Sequence, residues 1–467
     1  MTIESTIEFV TQEFEKFVNR DASKYYVKRN NTSANAFSEG GAYFGFIRPE
    51  EDSRGQYHDF SIVLFPGDEN GETPWVLSLG VGTLGFQNDY DLAAKPGFRR
   101  LFQSIISQDG FCKTDFLDLD SPIPNSFFEK VPELIDTLDR YKNVLPVCEI
   151  LDAVESEPCK DKIRAFIAIY AKARDWLTND MRRNYFSDAV GNLQREESVN
   201  EVTEVKKLIL QRKFVILTGP PGVGKTRLAK IIGDELDARV FFTQFHAETN
   251  YSDFIYGIIP NIGTSGLNYT HKMGTFHQAL HFSLENPNIN TLLIVDEINR
   301  ANLSNILGPI FYLFEYQMDN NENAPEIDIS PKLSISRLPD NFYMIGTMNT
   351  ADRSLAVVDF ALRRRFAWYE MLPSSIDSSS IRDNKKFFEK DFLEFHNIFY
   401  WYADSNELTL QPGQGYFLAE NEEGFLNRVE YELFPLIKEY LQEQLLVSAK
   451  EEFNDYFLKR INKPLFQ

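Results

Sequence analysis

The octapeptide Gly219-Pro220-Pro221-Gly222-Val223-Gly224-Lys225-Thr226 constrains this chain more than any other feature. It follows a short apolar run, 214–217, and opens a helical stretch, 227–236. Strand, glycine-rich turn and helix in that order match the phosphate-cradling unit G-x-x-x-x-G-K-[ST]. The glycines let backbone N–H groups turn in around phosphate oxygens, where a Cβ would intrude. The helix N-terminus adds partial positive charge. The pattern assigns Lys225 to the β- and γ-phosphates and Thr226 to Mg²⁺. Residues Gly219 to Thr226, with Arg227, are the expected nucleotide-binding set. A chance glycine-rich turn is the bland alternative, and it would not explain the strand before and the helix after.

From residue 206 onward, short apolar runs alternate with helical stretches. Strands are expected at 214–217, 240–242, 292–295, 342–345 and 366–369, with helices between them. That alternation predicts an α/β sheet of mainly parallel strands. The run 292–295 ends in two acids, so Asp296 falls at the carboxyl edge of the sheet, beside the phosphate loop. There it would join the Mg²⁺ shell. Glu297 would orient or deprotonate the attacking water. Asn349, just past 342–345, would hydrogen-bond the γ-phosphate or that water. Arg363, Arg364 and Arg365 precede the last run. A triple arginine is often just a solvated face. The sharper reading is a finger on a neighbour's nucleotide, which suits a permanently charged planar fork and implies a ring. The segment 373–380 (PSSIDSSS) reads as a hinge, and 385–460 as a helical lid.

The first 200 residues have a different texture. A helix is expected over 3–17 and strands at 43–47, 60–65 and 75–79, broken by Gly40-Gly41, Pro66-Gly67 and Asn70-Gly71. The stretch 125–190 reads as largely helical. The expected layout is a mixed α+β domain over 1–145, a helical connector over 146–200, the α/β core over 201–373 and the lid over 374–467. With 40 Phe and 21 Tyr the chain has ample material for packed cores, which argues against disorder. No run is long and apolar enough to span a bilayer, and the first residues lack the apolar core of a secretory signal. Three cysteines without metal-type spacing suggest a reducing cytoplasm. The formal charge is −21, and residues 1–150 hold 24 acids against 14 bases. General DNA binding rests on phosphate neutralisation, so that balance disfavours it. Tyr43, Tyr57 and Trp75 could stack on an extruded base or simply fill a core.

The runs IVDEINRAN (294–302), MNTADRS (348–354) and ALRRRF (361–366) resemble AAA+ NTPases of the McrB type. The likeness continues through Gly415-Tyr416-Phe417 and LFPLIKEYL (433–441), and spans about residues 205–445. It implies an AAA+ P-loop core with a helical lid, preceded by a separate N-terminal recognition domain. It also implies a homo-oligomeric, hexameric ring that uses Mg²⁺ and drives a separately encoded McrC-like nuclease against modified or foreign DNA. By the same resemblance Asn349 is a sensor and Arg364 or Arg365 the finger. Asp352 and Arg353 would tie the sensor loop to a neighbour. GTP is favoured by the resemblance, with ATP the alternative. Asn349 and Asp352 mimic a guanine-reading N-x-x-D, but a sensor position faces phosphates, not the base. Gln411-Pro412-Gly413-Gln414-Gly415 carries no arginine where many AAA+ lids place a second sensor. A MoxR-like remodeller would share the same active site. A merely structural nucleotide site would not need Lys225, Thr226, Asp296, Glu297 and Asn349 together.

Overall fold

The computed structural model describes residues 3–51, 56–68, 73–191, 193, 200–263, 266–315, 325–351, 360–376, 381 and 384–466, with backbone alone for 261–263, 266–268 and 360–362. The expected turn at Asn70-Gly71, the Asp352–Arg353 contact and the serines at 378–380 lie outside the described residues. The described residues group into two units. One is 1–197 with 400–402; the other is 198–399 with 403–467. Among the described residues no helix is long and apolar enough to cross a membrane.

The first unit is built on a six-stranded antiparallel sheet. Its strands are β1 (Val27–Asn31), β2 (Tyr43–Ile47), β3 (Phe60–Phe65), β4 (Trp75–Val81), β5 (Phe111–Cys112) and β6 (Val147–Leu151), in the order β1-β2-β3-β4-β6-β5. Strand alternation sorts the central side chains between two cores. Phe60, Ile62, Leu64, Trp75, Leu77 and Leu79 share one core with the helices Ile3–Glu15, Pro96–Ile105 and Glu157–Ala173. Val63, Phe65, Val76, Cys148 and Ile150 face another, with Phe127, Leu134 and Leu138. Both faces being covered, β3 and β4 are buried along their whole length.

One expectation is corrected here. The stretch 146–200 is not a helical connector: it begins with β6, which pairs with both β4 and β5, and its long helix is part of the first core. That helix stops at Ala173, Asp175 takes a left-handed φ of 58°, and a second helix starts at Asp180. Trp176 is buried at the break between them.

The second unit carries a five-stranded, wholly parallel sheet. Its strands are β7 (Phe214–Gly219), β8 (Arg239–Gln244), β11 (Thr291–Asp296), β14 (Phe342–Asn349) and β15 (Ala367–Glu370), ordered β15-β7-β14-β11-β8. All five runs expected as strands are in it. Helices Glu201–Arg212 and Lys225–Glu235 pack on one face, against Val215, Leu217, Ile294 and Ile345. Helix Thr275–Glu285 packs on the other, against Leu293, Val295 and Met344. The connections are not all helical, as they were expected to be. A β-hairpin, β9 (Tyr256–Gly263) with β10 (Gly266–Met273), fills part of one, and a short hairpin, β12 (Ile327–Ser330) with β13 (Leu333–Ile335), part of another. The lid follows with helices that include Phe434–Gln442 and Lys450–Ile461.

Candidate nucleotide site

Register decides what meets at the carboxyl edge of the parallel sheet. Asn349 lies opposite Gly219, and Gly346 opposite Val295, so the ends of β7, β14 and β11 converge. The phosphate loop leaves β7 there. Gly222 and Gly224 take φ of +86° and +95°, which a side chain would strain. Pro220, Pro221 and Val223 complete the turn, and Lys225 is the first residue of the helix that follows. Arg227, two positions on, is exposed.

The Lys225 ammonium folds back inside this loop. It donates to the carbonyls of Gly219 and Pro220, both at 2.8 Å, and to Asn349 Oδ1 at 2.6 Å. Only 7% of the residue is exposed. Burial pushes its pKa down to about 8, against the opposing pull of the Glu297 and Asp296 carboxylates.

Asp296 Oδ1 accepts the Thr226 hydroxyl at 2.6 Å and the Thr347 hydroxyl at 2.6 Å. A hydroxyl and a carboxylate in contact are the hard oxygen donors that Mg²⁺ takes beside phosphate and water oxygens, so these residues fit the ion. Glu297 sits in the left-handed region, at φ 53° and ψ 45°, just beyond β11. Its N–H donates to Thr347 Oγ1 at 3.2 Å. Its carboxylate is held from two sides, by Asn349 Nδ2 at 2.5 Å and by Arg300 Nε at 3.3 Å. The Asn349 amide therefore joins the phosphate-loop lysine to the Glu297 carboxylate. Two partners in this network, Thr347 and Arg300, were not picked out from sequence. Thr347 could have been, because residues i and i+2 of a strand share a face and Asn349 had been chosen.

The arginines sit on a short helix, Phe360–Arg365, ahead of β15. Arg365 is tied within its own chain: its side chain is 10% exposed, 2.5 Å from Glu315 Oε1, and lies over the Phe311 ring. Arg364 reaches the same carboxylate at 3.3 Å but keeps 69% of its side chain in solvent. Of the two, Arg364 is the more exposed.

In the first unit, a cavity of about 380 Å³ opens on the sheet face that carries Val63 and Phe65. Tyr43, Tyr57, Tyr141 and Arg29 line it. Arg29 Nε donates to the Tyr43 hydroxyl at 3.0 Å, and its guanidinium lies 5.0 Å from the centre of the Tyr57 ring. Trp75 takes no part; it is fully buried in the other core.

Residues 214–366 match the AAA domain (dynein-related subfamily). This segment is an AAA domain. The expected likeness to the McrB type also holds. Over 216 residues the chain is 40% identical to the Type IV methyl-directed restriction enzyme EcoKMcrB subunit of Escherichia coli (strain K12). That alignment takes in 44% of this chain and 45% of the relative, less than half of each. The Type II restriction enzyme BsuMI component YdiS of Bacillus subtilis (strain 168) is 26% identical over 298 residues, 53% of this chain and 85% of its own. The AAA domain is thus a P-loop NTPase fold related to restriction-system subunits.

Proposed function

We propose that this chain is the nucleotide-hydrolysing subunit of a cytoplasmic, McrBC-like restriction complex, with GTP as substrate and ATP as the alternative. The observation that carries the reading is the continuous chain Lys225–Asn349–Glu297, set beside the Thr226–Asp296 pair. In this reading the N–H groups of Gly222 to Thr226 bind the β-phosphate, and Lys225 exchanges its carbonyl partners for phosphate oxygens. Thr226 and Asp296 would hold Mg²⁺, which would supply positive charge beside the phosphates. Glu297 takes a proton from the attacking water, and Asn349 holds that carboxylate in place. Arg364 of a neighbouring copy stabilises charge on the departing γ-phosphoryl group, so the working form is a homo-oligomer, a hexameric ring.

The kinship to two restriction components supports a role beside a separately encoded, McrC-like nuclease. The tyrosine-lined cavity supports target reading by the first unit, with a modified base between its rings. Phosphate release from GTP and from ATP, by the purified chain alone and with the product of the neighbouring gene, tests the proposal. Hydrolysis that the neighbour's product stimulates agrees with it; a chain that hydrolyses neither nucleotide overturns it.

A further inference from the structure

Opposite its phosphate-facing side, the P-loop is gripped by the lid. Three successive loop carbonyls are each taken by one of three successive lid residues. Gly413 N–H donates to Pro221 O at 2.9 Å, Gln414 Nε2 to Val223 O at 2.9 Å, and Gly415 N–H to Gly222 O at 2.9 Å. The two backbones touch so closely that neither tolerates a side chain. A Cβ on Gly413 would stand 2.3 Å from the Gly222 carbonyl carbon, and one on Gly222 would stand 2.8 Å from the Tyr416 ring. Arg428 anchors the grip from behind, donating to Gly415 O at 2.8 Å and Leu418 O at 2.7 Å. The other end of the Gln414 amide, Oε1, accepts the Ser374 N–H at 3.4 Å, in the segment that links sheet to lid.

This contact bears on how a lid without the usual arginine can respond to nucleotide. A carbonyl pulled outward orients its own peptide plane, and the N–H on the same plane then points inward. Holding Pro221 O, Gly222 O and Val223 O therefore aims the amides of Gly222, Val223 and Gly224 at the β-phosphate. We propose that Gln414 is a positioning residue for nucleotide binding: its amide ties the P-loop backbone to the sheet–lid linker, so the lid reads occupancy of the β-phosphate site and not the γ-phosphate. The inference rests on the NTPase reading above and adds a residue and a specificity to it.

The test compares full-length wild type with Gln414→Ala and Gln414→Glu, measuring affinity for GTP, GDP, ATP and ADP and the kcat for whichever triphosphate wild type hydrolyses. Glutamate keeps the length of the side chain but loses the donor to Val223 O. Both variants should bind di- and triphosphate about fivefold more weakly, the worth of one neutral hydrogen bond, with kcat within about twofold of wild type. Loss confined to the triphosphate, or a kcat that falls with KM unchanged, would make Gln414 a γ-phosphate group and overturn the proposal. So would a Gln414→Glu chain that binds like wild type. The two readings fail differently: wild type that binds no nucleotide defeats the NTPase assignment, whereas wild type and variants that bind equally defeat only this one. Nucleotide-free melting curves, unchanged within a few degrees, identify the effect as one on binding.

Discussion

Lys225 is a cation held where a cation is disfavoured, and nucleotide affinity should therefore depend on pH in a defined way. Burial depresses its pKa to about 8, from an ordinary 10.5. Phosphate oxygens in the loop favour the charged form and should return the value toward its ordinary one. Binding then takes up a proton. At pH 8 the uptake should be about half a proton per nucleotide, and at pH 9 about nine-tenths. The fraction of free protein with a charged lysine drops from about three-quarters at pH 7.5 to about one-tenth at pH 9. Apparent affinity should fall about eightfold across that span. The linkage has the opposite sign for the empty fold. A lysine whose folded pKa lies below its unfolded one destabilises the fold while charged, so nucleotide-free stability should rise between about pH 8 and pH 10.5. Calorimetric titrations in buffers of different ionisation enthalpy read the proton count directly. Lys225→Arg is the control, because a guanidinium stays charged and its weaker binding should be flat with pH. Flat wild-type affinity from pH 7.5 to 9, with no proton uptake, would refute the argument.

Other outcomes follow from the same geometry. Glu297→Gln should keep nucleotide bound and slow phosphate release by about two orders of magnitude or more, the usual contribution of a positioned base; near-normal turnover would make Glu297 a bystander. Arg365→Ala should lower the stability of the second unit by on the order of 2 kcal/mol in urea melts, because it removes a charge-assisted hydrogen bond to the half-buried Glu315 and leaves that carboxylate only the more exposed Arg364, whereas Arg364→Ala should leave the melt unchanged and abolish the rise of specific activity with protein concentration. Full-length chain should bind unmodified duplex weakly and with a shallow salt dependence, given the acidic first 150 residues; tight binding with a steep salt slope would show that the charge balance misjudges the exposed surface.

The parallel sheet was legible because its central strands are buried on both faces, and such strands read as unbroken apolar runs bounded by turns. The site was legible for a related reason: its residues stand at the ends of those runs, where the chemistry of the P-loop and of Asp296-Glu297 is local in sequence. Features that depend on pairing were harder to see. β6 is a five-residue run whose apolar residues are interrupted by Glu149, set among helix-like neighbours, and its partners in β4 lie about seventy residues away. β9 contains Pro260, which ordinarily demotes a strand; in a two-stranded hairpin every strand is an edge and the proline is tolerated. The triple arginine could not be resolved into a tethered Arg365 and an exposed Arg364 without Glu315, fifty residues upstream. The grip of Gly413–Gly415 on the loop was out of reach for the same reason, because its two halves are about 190 residues apart.

One mixing experiment bears most directly on the central claim, that hydrolysis needs Glu297 of one copy and Arg364 of the next. Glu297→Gln lacks the base and keeps the finger; Arg364→Ala lacks the finger and keeps the base. Each alone should be nearly inactive. Mixed one to one, about a quarter of the interfaces pair an intact base with an intact finger, so the account predicts recovery to about a quarter of the wild-type rate of phosphate release. A mixture no more active than its two components would contradict it.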